Sequence, residues 1–103
     1  MPKVLSRKTL TVLSSEVVRA ARALLRWEQR DLEAASSVSL PTIKRLESKP
    51  GIMAAHPATV LALRGALESA GIEFIDENGG GPGVRLRKRH QKKSQPRKSV
   101  VGP

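Results

Sequence analysis

The chain of 103 residues contains no cysteine and no tyrosine, one phenylalanine and one tryptophan. Without cysteine there are no disulfides and no thiolate metal sites. That composition is compatible with the cytoplasm, where we expect the protein. With so few aromatics the core has to be assembled from Leu, Ile, Val and Ala, which suits a small helical domain. The same scarcity argues against a general RNA or single-strand binder, which needs aromatics to stack bases. No apolar run approaches the roughly 18 residues of a membrane span, so no membrane partner is expected. Met1 to Ser15 mixes basic and apolar residues, interrupted by Thr9, Thr11, Ser14 and Ser15. It lacks the compact apolar stretch and small-residue cleavage site of a signal peptide. We expect residues 1–14 to form a flexible arm.

What the chain has in excess is positive charge, +10 in all. It is unevenly placed. Val84 to Pro103 holds eight of the 19 basic residues (Arg85, Arg87, Lys88, Arg89, Lys92, Lys93, Arg97 and Lys98) and no Asp or Glu. The 11 basic residues elsewhere stand against 9 acidic ones, so most of the excess belongs to the C-terminal end. Such a segment attracts polyanions through counterion release, nucleic acid first. Beyond Lys88 nothing in the pattern can bury a core, and residues 88–103 are expected to be a disordered basic tail.

One domain is the natural size for the rest, residues 15–87. The spacing predicts a helix over about 16–26, with Ser14 or Ser15 as cap and an apolar stripe of Val17, Ala20, Ala21, Leu24 and Leu25. Arg19, Arg22 and Arg26 line another side, and Trp27 closes the stripe. A second helix is expected over about 29–36, with Leu32 and Ala35 inward. A third spans about 40–48, capped by Ser39, with Val38 and Ile43 in the geometry of a hydrophobic staple. Pro41 fits its first turn, Ile43 and Leu46 face the core, and Pro50 and Gly51 end it. A fourth runs over about 57–70, with Val60, Leu63, Leu67 and Ala70 apolar and Gly71 closing it. Ile72 to Ile75 and Val84 to Arg87 alternate on either side of a Gly-rich segment, the pattern of a β-hairpin.

The stretch from Gln29 to Glu47 carries the functional expectation. Two short helices joined by a tight turn at residues 36–38 let the first brace against a DNA backbone while the second lies in the major groove. Gln29, at a helix N-terminus, is placed to donate to a phosphate. Ser39 and Thr42 are placed to do the same. Leu40, Pro41, Lys44 and Arg45 point toward base edges, and Lys49 extends the basic surface. The stretch resembles the bacterial Xre/Cro repressor-like helix-turn-helix family, whose pattern is Q-x-x-L-A-x-x-S-G-V-S-x-x-T-I-x-x-L-E. Gln29, Leu32, Ser36, Val38, Ser39, Thr42, Ile43, Leu46 and Glu47 match it, and Glu73 to Leu86 resembles the end of short members. The resemblance covers about Val17 to Arg87. It implies a mainly α fold: a four- or five-helix repressor-like helix-turn-helix domain, here with a short C-terminal β-hairpin, binding double-stranded DNA as a homodimer.

Three departures bear on that implication. Glu33 stands where the family has Ala, because helices two and three approach closely there; it is expected to turn outward or to hold the helices apart. Ser37 stands where the family has Gly, and a left-handed conformation there would cost on the order of 1 kcal/mol. Leu40 and Pro41 occupy positions where repressors often carry polar readers. They can meet thymine methyl groups but donate nothing to base edges, which leaves Lys44 and Arg45 as the polar readers. That weakness motivates an alternative partner, a protein, with the chain acting as an antitoxin or antiactivator through Glu33, Leu40 and Pro41.

Other chemistry finds little purchase. Gly79 to Gly83 is followed by no Lys-Ser or Lys-Thr and reads as a hairpin loop, not a phosphate cradle. His56 and His90 lack partners at metal-ligand spacing. Asp76 and Glu77 read as the start of a loop, and the serines as caps and turn residues with no base beside them. We expect no enzyme, no cofactor, no metal and no small-molecule ligand.

Overall fold

The computed structural model describes residues 12–76 and 79–87. Four helices follow in order: α1 (Ser15–Leu25), α2 (Gln29–Ser36), α3 (Leu40–Ser48) and α4 (Pro57–Ser69). Two strands close the unit, β1 (Ile72–Ile75) and β2 (Gly83–Leu86). The protein is thus mainly helical with a small antiparallel hairpin. No described helix is long and apolar enough to cross a membrane. The expected arm over residues 1–11, and the expected tail over 88–103, lie outside the described residues.

Each helix begins where a side chain can take up its free amides. The Ser14 hydroxyl accepts the Val17 N–H at 3.1 Å and opens α1. Ser39 accepts the Thr42 N–H at 3.4 Å and opens α3. The His56 ring Nδ1 accepts the Ala58 N–H at 3.3 Å, with Pro57 in the first turn of α4. At the α2 start the Glu28 N–H donates to the Asp31 carboxylate at 2.8 Å. Two helices end on non-glycine residues in the left-handed region, Arg26 (φ 59°) and Ser37 (φ 66°). Ser37 adopts the conformation its position demands and donates its N–H to the Glu33 carbonyl at 2.8 Å. Gly71, at φ 114°, makes the turn from α4 into β1.

The core is aliphatic. Val18 and Ala21 of α1, Leu32 of α2, Ile43 and Leu46 of α3, and Val60, Leu63 and Leu67 of α4 are buried, joined by Leu13, Met53 and Ile72. Burying each large aliphatic side chain contributes roughly 1.5–3 kcal/mol. Trp27, Val38 and Phe74 pack on the edge of this cluster. In the layout, α1 meets α3 and β2, α2 meets α3 and α4, and β1 meets α4.

Three expectations are corrected here. The end of the arm is part of the fold: Leu13 is buried, and its carbonyl accepts the Met53 N–H at 2.8 Å. Ser14 bridges Ile52, and the Ser15 N–H reaches the Gly51 carbonyl at 2.9 Å. The α1 stripe is rotated from the expected one: Ala20 and Leu24 face solvent, while Val18 and Ala21 lie inside. Arg22 sets this phase, drawn inward by a buried carboxylate. Ala35 is exposed, because α2 turns Gln29, Leu32, Glu33 and Ser36 toward its neighbours instead.

The hairpin pairs Ile72 with Leu86, Glu73 with Arg85, Phe74 with Val84 and Ile75 with Gly83. Its second strand starts one residue earlier than the alternation suggested. Glu73 and Arg85 form a cross-strand ion pair at 2.9 Å, which holds the Glu73 carboxyl below its usual range and raises the Arg85 guanidinium. The hairpin is fixed to α4 by the Arg64 guanidinium, which lies 4.5 Å from the Phe74 ring centre. At the start of α1, Glu16 accepts its own backbone N–H and that of Gly51, which lowers its pKa.

Candidate nucleic-acid interface

The α3 helix divides cleanly. Ile43, Leu46 and Glu47 are buried, whereas Pro41, Lys44, Arg45 and Ser48 are exposed at the spacing of one helical face. Lys49, the C-cap residue, continues that face and is exposed as well. Leu40 and Thr42 are half-buried at the first turn.

The inward face is held by an ionic cluster. Glu47 has a side chain 3% exposed and accepts two hydrogen bonds from Arg22, Nε to Oε2 at 2.9 Å and Nη2 to Oε1 at 2.6 Å. Arg22 also donates from Nη1 to the Trp27 carbonyl at 3.0 Å. Gln29 donates its amide to Glu47 Oε1 at 3.1 Å. One carboxylate at the end of α3 therefore ties together α1, the α1–α2 corner and the start of α2. Such a paired, bidentate geometry is what a buried charge requires.

This placement revises the role expected of Gln29. Its side-chain amide is engaged by Glu47, and a phosphate contact would have to come from the second N–H of that amide. Glu28 and Asp31 are exposed at the same helix terminus, which makes it less attractive to an anion. Of the two arrangements expected for Glu33, the outward one is not adopted. Its Oε2 accepts the Leu40 N–H at 3.0 Å, so the half-buried side chain bridges α2 and the start of α3. The Ser39 hydroxyl donates to Thr42 Oγ1 at 2.9 Å, leaving the Thr42 proton free to point outward.

The cations fall into two classes. Arg19, Arg22, Arg64 and Arg85 each pair with a carboxylate. Arg26, Arg30, Lys44, Arg45, Lys49 and Arg87 have no ion pair among the described residues, and three of these six lie together on α3 and its C-cap. Eight residues had been singled out for this surface. The structure brings Leu40, Pro41, Thr42, Lys44, Arg45 and Lys49 together on α3 and its C-cap, with Ser39 at the cap. Gln29, at the start of α2, is half-buried with its amide bonded to Glu47.

Sequence reasoning missed Arg22 and Glu47 as partners. The signal was present: Arg22 shares a face with Val18, Ala21 and Leu25, and Glu47 lies beside Leu46 and four residues from Ile43. Two opposite charges, each on an apolar stripe, mark a buried pair. No protein-family model matches the chain, and no curated protein matches it.

Proposed function

We propose that the chain is a small DNA-binding transcriptional regulator of the helix-turn-helix type, laying α3 in the major groove of double-stranded DNA. The observation that carries this reading is the α3 face itself. Lys44, Arg45 and Lys49 are exposed side by side without ion pairs among the described residues, on a helix whose opposite face is locked by Ile43, Leu46 and the Arg22–Glu47 pair. A rigid helix with free cations is what groove insertion needs. The resemblance of Gln29 to Glu47 to the Xre/Cro repressor-like pattern supports the same reading. Arg45 is the residue suited to a bidentate contact with guanine, worth roughly 1–3 kcal/mol of discrimination. Leu40 and Pro41 contribute only apolar contacts, so specificity is modest and affinity leans on phosphates.

In this reading the protein acts in the cytoplasm as a homodimer, with two recognition helices about 34 Å apart. Selection of bound duplexes from a random pool at near-physiological salt should return a palindromic motif. The double change Lys44→Ala and Arg45→Ala should abolish that preference while the helical circular-dichroism spectrum is kept. A preference that survives the double change overturns the assignment of α3 as the reading helix.

A second reading is favoured by one feature. The first turn of α3 offers apolar Leu40 and Pro41 above the Glu33 carboxylate, a surface suited to a protein partner, as in an antitoxin or antiactivator. An absence of any selected DNA motif, together with a partner lost on Leu40→Lys, would establish it.

A further inference from the structure

Free amides at the start of a helix are a common way for a protein to hold a phosphate of DNA. The first turn of α3 has none to offer. The Leu40 N–H is taken by Glu33 at 3.0 Å, Pro41 has no N–H, and the Thr42 N–H is taken by the Ser39 hydroxyl at 3.4 Å. The Ile43 N–H is already in the helix, bonded to the Ser39 carbonyl at 3.0 Å. Glu33 does more than consume one donor. It places a full negative charge against the end of the helix whose dipole would otherwise draw an anion. Its other oxygen has no partner among the described residues, and the side chain is only half-buried, so its field reaches solvent.

Resting on the DNA-binding reading above, we propose that Glu33 is a built-in brake on phosphate contact. It weakens binding to DNA of every sequence at the N-terminal end of α3 and shifts the load to Lys44, Arg45 and Lys49. Because the penalty is common to every sequence, it lowers overall affinity and leaves the preference set by Lys44 and Arg45 unchanged.

The test is Glu33→Gln, which keeps the side-chain length and an oxygen able to accept the Leu40 N–H but removes the charge. Binding to a short duplex of mixed sequence, followed by fluorescence anisotropy, should tighten roughly 3- to 10-fold at low salt. The gain should shrink toward nothing as salt rises. A merely structural role would shift thermal stability and leave this salt-dependent difference at zero. Glu33→Ala, which also frees the Leu40 N–H, should bind at least as tightly as Glu33→Gln. It provides the same comparison if the glutamine variant loses helix content. Unchanged or weaker binding by both variants overturns the proposal, as does a gain in the alanine variant alone, which would assign the effect to the amide and not the charge. Binding left unchanged by Lys44→Ala with Arg45→Ala overturns the placement of α3 on DNA, the reading on which this inference rests. Binding that responds to that pair but not to Glu33 overturns this inference only.

Discussion

Replacing Glu47 with Ala should be among the most damaging single changes available in this domain. Glu47 accepts three hydrogen bonds, two of them from a guanidinium, and its side chain is 3% exposed. Its removal strands Arg22 against the core. Loss of one member of a buried ion pair costs about 3–5 kcal/mol. Here Arg22 keeps its bond to the Trp27 carbonyl and is 17% exposed, so water can reach it. The lower end, about 3 kcal/mol, is therefore expected. Against the roughly 5 kcal/mol typical of the less stable domains, that leaves about 2 kcal/mol, with a few per cent of the molecules unfolded. Urea unfolding followed by circular dichroism reads the loss as a lower midpoint at unchanged slope. Glu47→Gln keeps the shape and should cost less, and Arg22→Met with Glu47→Leu should recover most of the stability, since an apolar pair needs no partner charge. A cost below about 0.5 kcal/mol for Glu47→Ala would mean that the pair behaves as a surface pair. The reasoning that α3 is locked by charge would then be refuted.

Four further outcomes are expected. Ser37→Gly should stabilise the protein by about 0.5–1 kcal/mol, because glycine takes the φ of 66° without steric cost, and a lower thermal midpoint would contradict this. Gly71→Ala should destabilise by about 1–2 kcal/mol from backbone strain at φ 114°, since the added Cβ meets nothing closer than Leu86 at 4.0 Å. Glu16 is held below its usual pKa by its own N–H and that of Gly51, so its contribution is complete above pH 4.5 and fades as pH falls through the depressed value. Glu16→Gln should accordingly flatten the acid side of the stability profile measured from pH-dependent thermal melts. A chain ending at Arg87 loses Lys88, Arg89, Lys92, Lys93, Arg97 and Lys98; it should bind all duplexes more weakly, with a shallower salt dependence and the same preferred sequence.

The helices were legible because their ends carry local chemistry: Ser14, Ser39 and Pro57 at the starts, Gly71 after the last. The aliphatic core was legible for the same kind of reason, Ile43, Leu46, Val60, Leu63 and Leu67 recurring at helical spacing. The misreadings within the helices share one cause. Polarity patterns send Arg22, Gln29, Glu33 and Glu47 to the surface, and in this fold all four turn toward α3 or come from it. Once paired, their burial costs little, and that pairing is a tertiary fact which no single helix displays. Ala20, Leu24 and Ala35 were misplaced as a direct consequence, since a helix that turns a charged residue inward must turn an apolar one outward. On the candidate surface, the exposed spacing of Pro41, Lys44 and Arg45 followed from helix geometry alone. The Glu33 contact with Leu40 did not, because it depends on how closely two helices approach.

The hairpin has a consequence for the order in which the molecule assembles. β2 packs on α1, so the end of the described unit covers its beginning, and Val17 shares a groove with Phe74 and Gly83. The helices can form from neighbouring residues, but this closure joins positions roughly sixty residues apart in sequence, the kind of contact that slows folding. A chain leaving the ribosome exposes α1 long before β2 exists. The groove side of α1 therefore stays uncovered during synthesis, and the final packing of the first helix waits for almost the last of the described residues to be made.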